Sequence, residues 1–126
     1  MAEADIRQYQ ARGRSTDTFG RVLCSARDQH FVVDGPPQNG CPGEAVSPAE
    51  LFLSGVASCG VELIQVLAKQ QGAPLSGVEV SIEAFQDRSA PARQDVSVFN
   101  SVKLAITLSG VSDEQGRDLV ERFRRR

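Results

Sequence analysis

The chain has 126 residues, 40% of them hydrophobic and 24% charged, and its 14 Lys and Arg against 16 Asp and Glu give a formal net charge of −2 at pH 7. This length and composition suit one compact domain with a moderate core, so we expect a single domain over residues 1–126. The near-neutral charge, without a basic stripe interleaved with aromatic residues, argues against a nucleic-acid surface. The N-terminus has no signal-peptide pattern and no run approaches a membrane span, which predicts a soluble cytoplasmic protein.

The cysteines give no sign of a metal or redox pair. Cys24, Cys41 and Cys59 are 17 and 18 residues apart, with none of the Cys-x-x-Cys pairing of zinc sites or thioredoxin-like motifs. In a reducing cytosol we expect three free thiols. A zinc site that added His30, the sole histidine, has no support from the spacing, so the sequence predicts no metal and no cofactor.

The first third of the chain predicts extended structure broken by turns. Residues 6–11, 13–20, 21–26 and 30–34 read as extended segments that form three short strands, most simply a meander. Residues 34–46 then contain three Pro and three Gly, which no helix or central strand tolerates. This segment is predicted to be a long loop that has a function of its own or wraps a neighbour.

A long helix follows, with clear signals at both ends. Ser47 at the N-cap, Pro48 in the first turn and Glu50 three residues after Ser47 form a capping box. Gly72 is a natural left-handed cap and Pro74 forbids continuation. These signals predict a helix from residue 48 to residue 71, about 36 Å long at 1.5 Å per residue.

The middle of this helix is poor in polar side chains, which predicts burial nearly all round. Small residues gather there, and each glycine costs roughly 1 kcal/mol of helix stability against Ala, so close packing of another backbone must offset the loss; they are Ser54, Gly55, Ala57, Ser58, Cys59 and Gly60. The only other predicted helix is polar on one side. We therefore predict that the same helix of a second copy crosses here, in an isologous homodimer.

The C-terminal half changes period. Apolar residues alternate with polar ones over residues 78–84 and again over 102–108, which predicts two antiparallel strands. A second capping box, Ser112 with Gln115, then begins an amphipathic helix with Leu119 and Phe123 on its apolar side. The order of strands, long helix, two strands and helix predicts an α+β fold.

Cys59 is the candidate reactive residue. It lies where the helix surface is reduced to small groups, so a small molecule has room beside the sulfur. Glu62, three residues later, is about 60° away around the helix and faces the same pocket. The alternative is that Cys59 is inert packing, since free cysteine is among the most buried residue types.

A series of motifs runs from His30 to Val80: a His-x-x-x-Asp-x-Pro strand end, a Gly-rich loop, Ser-Pro-x-Glu-Leu, an apolar helix that reaches Cys59, and Pro-Leu-x-Gly-Val-x-Val. This series resembles the OsmC/Ohr superfamily of peroxide-stress proteins, over about residues 19–123. The Ser-Pro-x-Glu-Leu form resembles the less characterised OsmC-like branch.

The resemblance implies an OsmC-like α+β fold, with antiparallel sheets around a long buried central helix and two chains intertwined as a homodimer. It implies a thiol peroxidase in which Cys59 attacks an organic hydroperoxide, becomes a sulfenic acid and is restored by a second thiol, here an external reductant, in defence against oxidative stress. The alternative is a catalytically silent OsmC-like dimer that binds a small apolar ligand.

Two features depart from the peroxidase branches of the superfamily. Those branches have a glutamate where this chain has Ala49, and that glutamate helps orient an activating arginine. Glu50 is the capping-box partner here and lies nine residues before Cys59; the alternative is that it reaches the site of a partner chain. The family continues after the last helix into a resolving cysteine and one more strand, which this domain lacks by nature or because the sequence ends early. Cys41, in the loop, is a better substitute for that cysteine than Cys24.

The sequence also does not identify the cation that activates Cys59. The family takes it from the N-terminal strands, where no motif selects one of the four arginines Arg12, Arg14, Arg21 and Arg27. His30 matches a family strand position, and packing or a backbone hydrogen bond is favoured over a role in activating Cys59.

Overall fold

A computed structural model gives the fold of the chain and describes residues 4–125. The chain divides into two compact units, Met1–Leu51 and Phe52–Arg126. The elements in chain order are β1 Arg12–Ser15, β2 Arg21–Ala26, β3 Gln29–Asp34, a short 3-10 turn Pro37–Asn39, α1 Pro48–Gln71, β4 Gly77–Phe85, β5 Ser101–Ser109 and α2 Asp113–Arg124. The predicted α+β class and element order are confirmed.

The first unit contains the predicted meander, an antiparallel sheet in the order β1-β2-β3. β2 and β3 are joined by a two-residue turn at Arg27 and Asp28, in which Arg27 adopts a positive φ of 54°. Tight hairpin turns require such left-handed residues, because their twist matches that of the strands. The turn fixes the register and places Arg21 directly opposite Asp34.

The prediction of extended strand structure over residues 6–11 is wrong. Only residues 12–15 of the N-terminal region pair with β2, and Ile6 and Tyr9 are 85% and 84% exposed. A strand needs a hydrogen-bonded neighbour, and its apolar residues need a surface to cover. This segment has neither within the described residues of one chain.

Helix α1 begins and ends at the predicted residues. The backbone N–H of Ser47 donates to Glu50 Oε1 at 3.0 Å and the N–H of Glu50 donates to Ser47 Oγ at 3.2 Å, which completes the capping box. Gly72 ends the helix with a φ of 68°. α2 begins with the second predicted capping box, Ser112 with Gln115.

The second unit has a small core between α1, α2 and the hairpin of β4 and β5. Its buried members are Ile64, Leu67, Ala68 and Leu119, with side chains such as Phe123 packed around them. The hairpin pairs residue for residue, from Gly77 opposite Ser109 to Phe85 opposite Ser101.

Only one side of α1 is buried within the chain. The buried residues are Gly60, Ile64, Leu67 and Ala68, whereas the sequence predicts burial nearly all round. The reason is that the chain's own hairpin and second helix cover a single side. The other side of α1 is not covered by the chain itself and is therefore accessible to a partner.

The small residues of α1 lie on two different sides of the helix. A Cβ at Gly60 would lie 3.3 Å from the Phe123 ring and 3.5 Å from Val80, whereas one at Gly55 would meet no atom within 4 Å. Gly60 therefore makes room for the chain's own α2 and β4. This corrects the prediction that the whole cluster of small residues faces a second copy.

Helix α1 also corrects the prediction that no run approaches a membrane span. It is long and apolar enough to cross a membrane, with a mean hydropathy of 1.8 over 18 residues. The core helix of a soluble protein has the same length and composition. Helix length and composition therefore do not distinguish the two cases here.

Candidate functional site

Cys59 lies near the middle of α1, and its side chain is exposed. At 3.6 residues per turn, positions three and four apart share a helix face. The open face that contains Cys59 consists of Phe52, Gly55, Cys59, Glu62 and Val66, all of them exposed. The thiol is thus the centre of an exposed stripe, on the side of α1 away from the core of the second unit.

Glu62 is on the same face as Cys59, as predicted from the helix period. A nucleophilic cysteine needs its thiolate form, which a nearby cation stabilises. A carboxylate cannot supply that stabilisation, but it can accept a proton or a hydrogen bond from a ligand. A cation for Cys59 therefore has to come from an element other than its own face of α1.

Cys41 is confined in a slot between two glycines. A Cβ at Gly20 or at Gly35 would overlap the Cys41 side chain, and Cys41 Sγ donates a weak hydrogen bond to the Asn39 carbonyl at 3.8 Å. Both glycines are therefore small so that this side chain fits. To act as a resolving thiol, Cys41 would have to leave the slot.

Half-buried Arg21 and buried Asp34 form an ion pair that organises the first unit. Arg21 Nε donates to Asp34 Oδ1 at 2.8 Å and Nη2 donates to Oδ2 at 2.9 Å. Oδ2 also accepts the backbone N–H groups of Glu44 and Ala45 at 3.0 and 2.9 Å. The Asp34 side chain is fully buried, so each of these donors replaces water that the carboxylate has lost.

These contacts set the pKa of both partners. The Arg21 hydrogen bonds, helped by the N–H groups of residues 45 and 44, hold the pKa of the Asp34 carboxyl well below its usual range. Asp34, and then Glu44 at 3.1 Å, raise the pKa of Arg21 further above its usual value. The pair is therefore fixed in its ionised form.

The sequence did not predict this pair. It named Arg21 only as one of four arginines and Asp34 only as part of a motif. The signal that would have found it is the two-residue turn at Arg27 and Asp28, because that turn sets the register between β2 and β3. Among the described residues, Arg21 is already engaged, whereas Arg12, Arg14 and Arg27 take part in no ion pair.

His30 differs from its prediction as well. It is exposed, and its Nδ1 is 2.8 Å from Ser25 Oγ on the neighbouring strand. The histidine is therefore held by a side chain rather than by packing or a backbone group. Between residues 4 and 125, no three His, Cys, Asp or Glu side chains are grouped closely enough to hold a metal ion.

Glu50 has the capping role that its spacing predicts. Hydrogen bonds from the backbone N–H and the side chain of Ser47 hold the pKa of Glu50 below its ordinary value. A carboxylate near the positive end of a helix is stabilised in its charged form. The hydrogen bonds observed for Glu50 therefore stabilise the start of α1.

The molecule is thus an α+β protein with an exposed thiol midway along a long apolar helix. The family model described as OsmC-like protein matches residues 41–126, and the chain belongs to the OsmC-like family. No curated protein matches the sequence.

Solved structures share this fold. An OsmC-like protein from Mycoplasma pneumoniae has a TM-score of 0.80 at 14% identity, over 95% of this chain and 82% of that one. An organic hydroperoxide resistance protein OsmC from Legionella pneumophila has 0.72 at 21%, over 97% and 85%. The organic hydroperoxide resistance protein OhrB of Bacillus subtilis has 0.61 at 20%, over 94% and 84%. At these identities the likeness establishes the fold.

Proposed function

We propose that the protein reduces organic hydroperoxides in the cytoplasm through Cys59, as a homodimer that draws on an external thiol. The observation that carries the proposal is the exposed thiol at the middle of α1 in a chain of the OsmC-like family. Two proteins of the same fold are described as organic hydroperoxide resistance proteins, at 21% and 20% identity. Defence against oxidative stress is the corresponding role.

The chemistry needs one thiol on the protein and two from a reductant. The Cys59 thiolate attacks the outer peroxide oxygen, so that an S–O bond forms, the O–O bond breaks and the alkoxide takes a proton to leave as an alcohol. The sulfenic acid then condenses with one external thiol to a mixed disulfide and releases water. A second external thiol frees Cys59 and leaves as a disulfide. The peroxide is reduced by two electrons, which the two external thiols supply.

The positions of the other two cysteines favour an external thiol as the reductant. Cys41 is confined between Gly20 and Gly35, and Cys24 is a half-buried residue of β2. Cys41 would have to leave this slot, and Cys24 its strand, before either could act as a resolving thiol. The reductant is therefore proposed to be a small dithiol or a dithiol protein.

The family resemblance, rather than any placement of the two units, is the basis for proposing that an arginine of the N-terminal strands stabilises the thiolate. Arg21 is engaged by Asp34, which leaves Arg12, Arg14 and Arg27 as the candidates. A guanidinium beside a thiol favours the thiolate electrostatically. Substitution of each arginine by Gln would identify which one lowers the rate of thiol consumption.

The homodimer is proposed from the exposed apolar surface. Phe52 is 63% exposed and Val66 39% exposed on the Cys59 face of α1. β5 adds Val102 and Leu104, exposed to 47% and 36%. Apolar surface of this extent is typical of an interaction site, and a second copy places two equal faces together around a two-fold axis.

The test is thiol consumption by cumene hydroperoxide or a fatty-acid hydroperoxide. The wild type is expected to lose one thiol per chain rapidly, and Cys59→Ser to lose that phase. Cys24→Ser and Cys41→Ser are the matched controls and are expected to retain it. If Cys59→Ser consumes peroxide like the wild type, the peroxidase is excluded and the catalytically silent dimer that binds a small apolar ligand becomes the better account.

A further inference from the structure

One face of the N-terminal sheet collects unpaired cationic side chains. Residues directly opposite each other in neighbouring strands point to the same face. Arg12 is opposite Ser25, and Ser25 is opposite His30. Arg14, two residues after Arg12, therefore shares this face and lies roughly 6.8 Å further along β1.

These side chains border a cavity of about 330 Å³. It is lined by Arg12, Gly13, Arg14, Leu23, Ser25 and His30. This volume is at the lower end of small-molecule pockets. The lining is basic and hydroxylic around a single leucine, which suits a small ligand with a strongly polar end and a compact apolar part.

The positive charge of the cavity is not balanced by the protein. Six of the arginines elsewhere in the described residues form ion pairs with carboxylates, namely Arg7, Arg21, Arg93, Arg122, Arg124 and Arg125. Within residues 4–125, Arg12 and Arg14 form none. Arg27 forms none either, and it lines the adjoining hollow, which Arg12 and Ser25 also line. Uncompensated cations on one face attract an anion.

His30 and Ser25 add hydrogen-bond donors. Their side chains are 2.8 Å apart, between Ser25 Oγ and His30 Nδ1. When the hydroxyl donates to Nδ1, the ring proton is on Nε2 and is available to a ligand. The neighbouring guanidinium groups donate but cannot accept. The cavity therefore offers donors to an oxyanion and no carboxylate to repel it.

We propose that this cavity binds a phosphate monoester with a small organic group. A phosphate monoester has a charge of about −1.5 to −2 at pH 7, which matches two guanidinium groups, whereas a carboxylate matches only one. Guanidinium groups bind phosphate oxygens in pairs of parallel hydrogen bonds, and Leu23 lies where the organic group would rest. The proposal goes beyond the reduction of hydroperoxides: it shares Arg12 and Arg14 with the candidate cations for the thiolate, but binding of the phosphate does not require the Cys59 thiol.

Calorimetric titration of the full chain with phenyl phosphate tests the site, with inorganic phosphate and benzoate as parallel ligands. Saturable binding is expected, and Arg12→Gln or Arg14→Gln should each weaken it about tenfold or more, since a charged hydrogen bond is lost. Arg88→Gln is the matched control, because Arg88 is also outside every ion pair of the described residues and lines a different pocket, not this one. Thermal unfolding of each variant checks that the fold is retained.

The ligands separate the sources of the phosphate group. Tighter binding of phenyl phosphate supports an organic monoester, and equal binding of inorganic phosphate supports the site with free phosphate as its occupant. The proposal is overturned if benzoate binds as tightly, if Arg88→Gln weakens binding as much, or if a short oligonucleotide binds more tightly than either phosphate. Repeating the titration with Cys59→Ser separates this site from the peroxidase, because phosphate binding should persist there.

Discussion

Arg21 and Asp34 lie directly opposite each other on β2 and β3, and the guanidinium donates to both carboxylate oxygens, at 2.8 and 2.9 Å. The same carboxylate accepts the backbone N–H groups of Glu44 and Ala45. One buried side chain thus joins two strands to the loop that leads into α1. A charged group without exposure is tolerated because four donors replace its water.

Asp34→Asn should destabilise the fold. The amide keeps the shape of the carboxylate, but it leaves Arg21 half-buried without its principal counter-charge and turns an amide N–H toward existing donors. We expect the thermal unfolding midpoint at pH 7 to fall by several degrees, measured by circular dichroism. Asp28→Asn, in the exposed turn, is the control and should leave the midpoint unchanged.

The effect of Asp34→Asn should also depend on pH. Because Arg21 holds the pKa of Asp34 below its usual range, the unfolded chain takes up a proton first as the pH falls. The stabilisation is therefore complete above the unfolded pKa of about 3.9 and is lost at lower pH. The difference in midpoint between wild type and variant should shrink between pH 5 and pH 2; a constant difference over that range would contradict the role of the charge.

The three thiols should react in an order set by their surroundings. Cys59 is exposed, whereas Cys24 and Cys41 are half-buried and Cys41 fills the slot beside Gly20. With substoichiometric iodoacetamide, peptide mass spectrometry of the Val66→Glu variant, in which no partner is expected to cover the Cys59 face, should find Cys59 labelled first and Cys41 last. In urea the order should disappear. Preferential labelling of Cys41 in the native protein would show that its slot opens readily and would restore it as a resolving thiol.

Both ends of α1 and the start of α2 could be predicted to the residue because these helix ends are encoded locally. Ser47 with Glu50, Gly72, and Ser112 with Gln115 are each signals within a few residues of sequence, and each forms the expected contact or conformation. Capping depends on neighbours three or four positions away. No knowledge of the rest of the fold was needed.

Features that depend on contacts between distant parts of the sequence were harder to predict. The partner of Asp34 depends on strand register, and the reason for Gly60 depends on where Phe123 of α2 packs. The strand predicted over residues 6–11 failed for the same reason, since pairing is decided by a neighbour that local composition does not reveal. Of the candidate site, the sequence predicted only that Cys59 and Glu62 lie on the same face, because both belong to one helix.

Gly60→Leu should lower stability by overfilling the core of the second unit. Its Cβ would be 3.3 Å from the Phe123 ring, and overpacking of this kind costs about 1–3 kcal/mol, more than the gain in helix propensity of up to about 1 kcal/mol. Urea unfolding measures the net loss. The double variant G60L/F123A should be more stable than the sum of the single effects, because removal of the ring opens the space; strict additivity would place the strain elsewhere.

The proposed dimer makes a prediction at Val66, which lies on the Cys59 face and is 39% exposed. If that face is the interface, Val66→Glu buries an unpaired carboxylate at a cost of several kcal/mol, and each 1.4 kcal/mol weakens association about tenfold. Size-exclusion chromatography with light scattering should give twice the 13.6 kDa of one chain for the wild type and a monomer for the variant. Gln65→Glu adds the same carboxylate about 100° away around the helix and should remain dimeric, with helix content equal in all three by circular dichroism. A wild type that is monomeric and well folded would contradict the dimer, and a Gln65→Glu variant that dissociates as readily would show that net charge rather than the Cys59 face controls association.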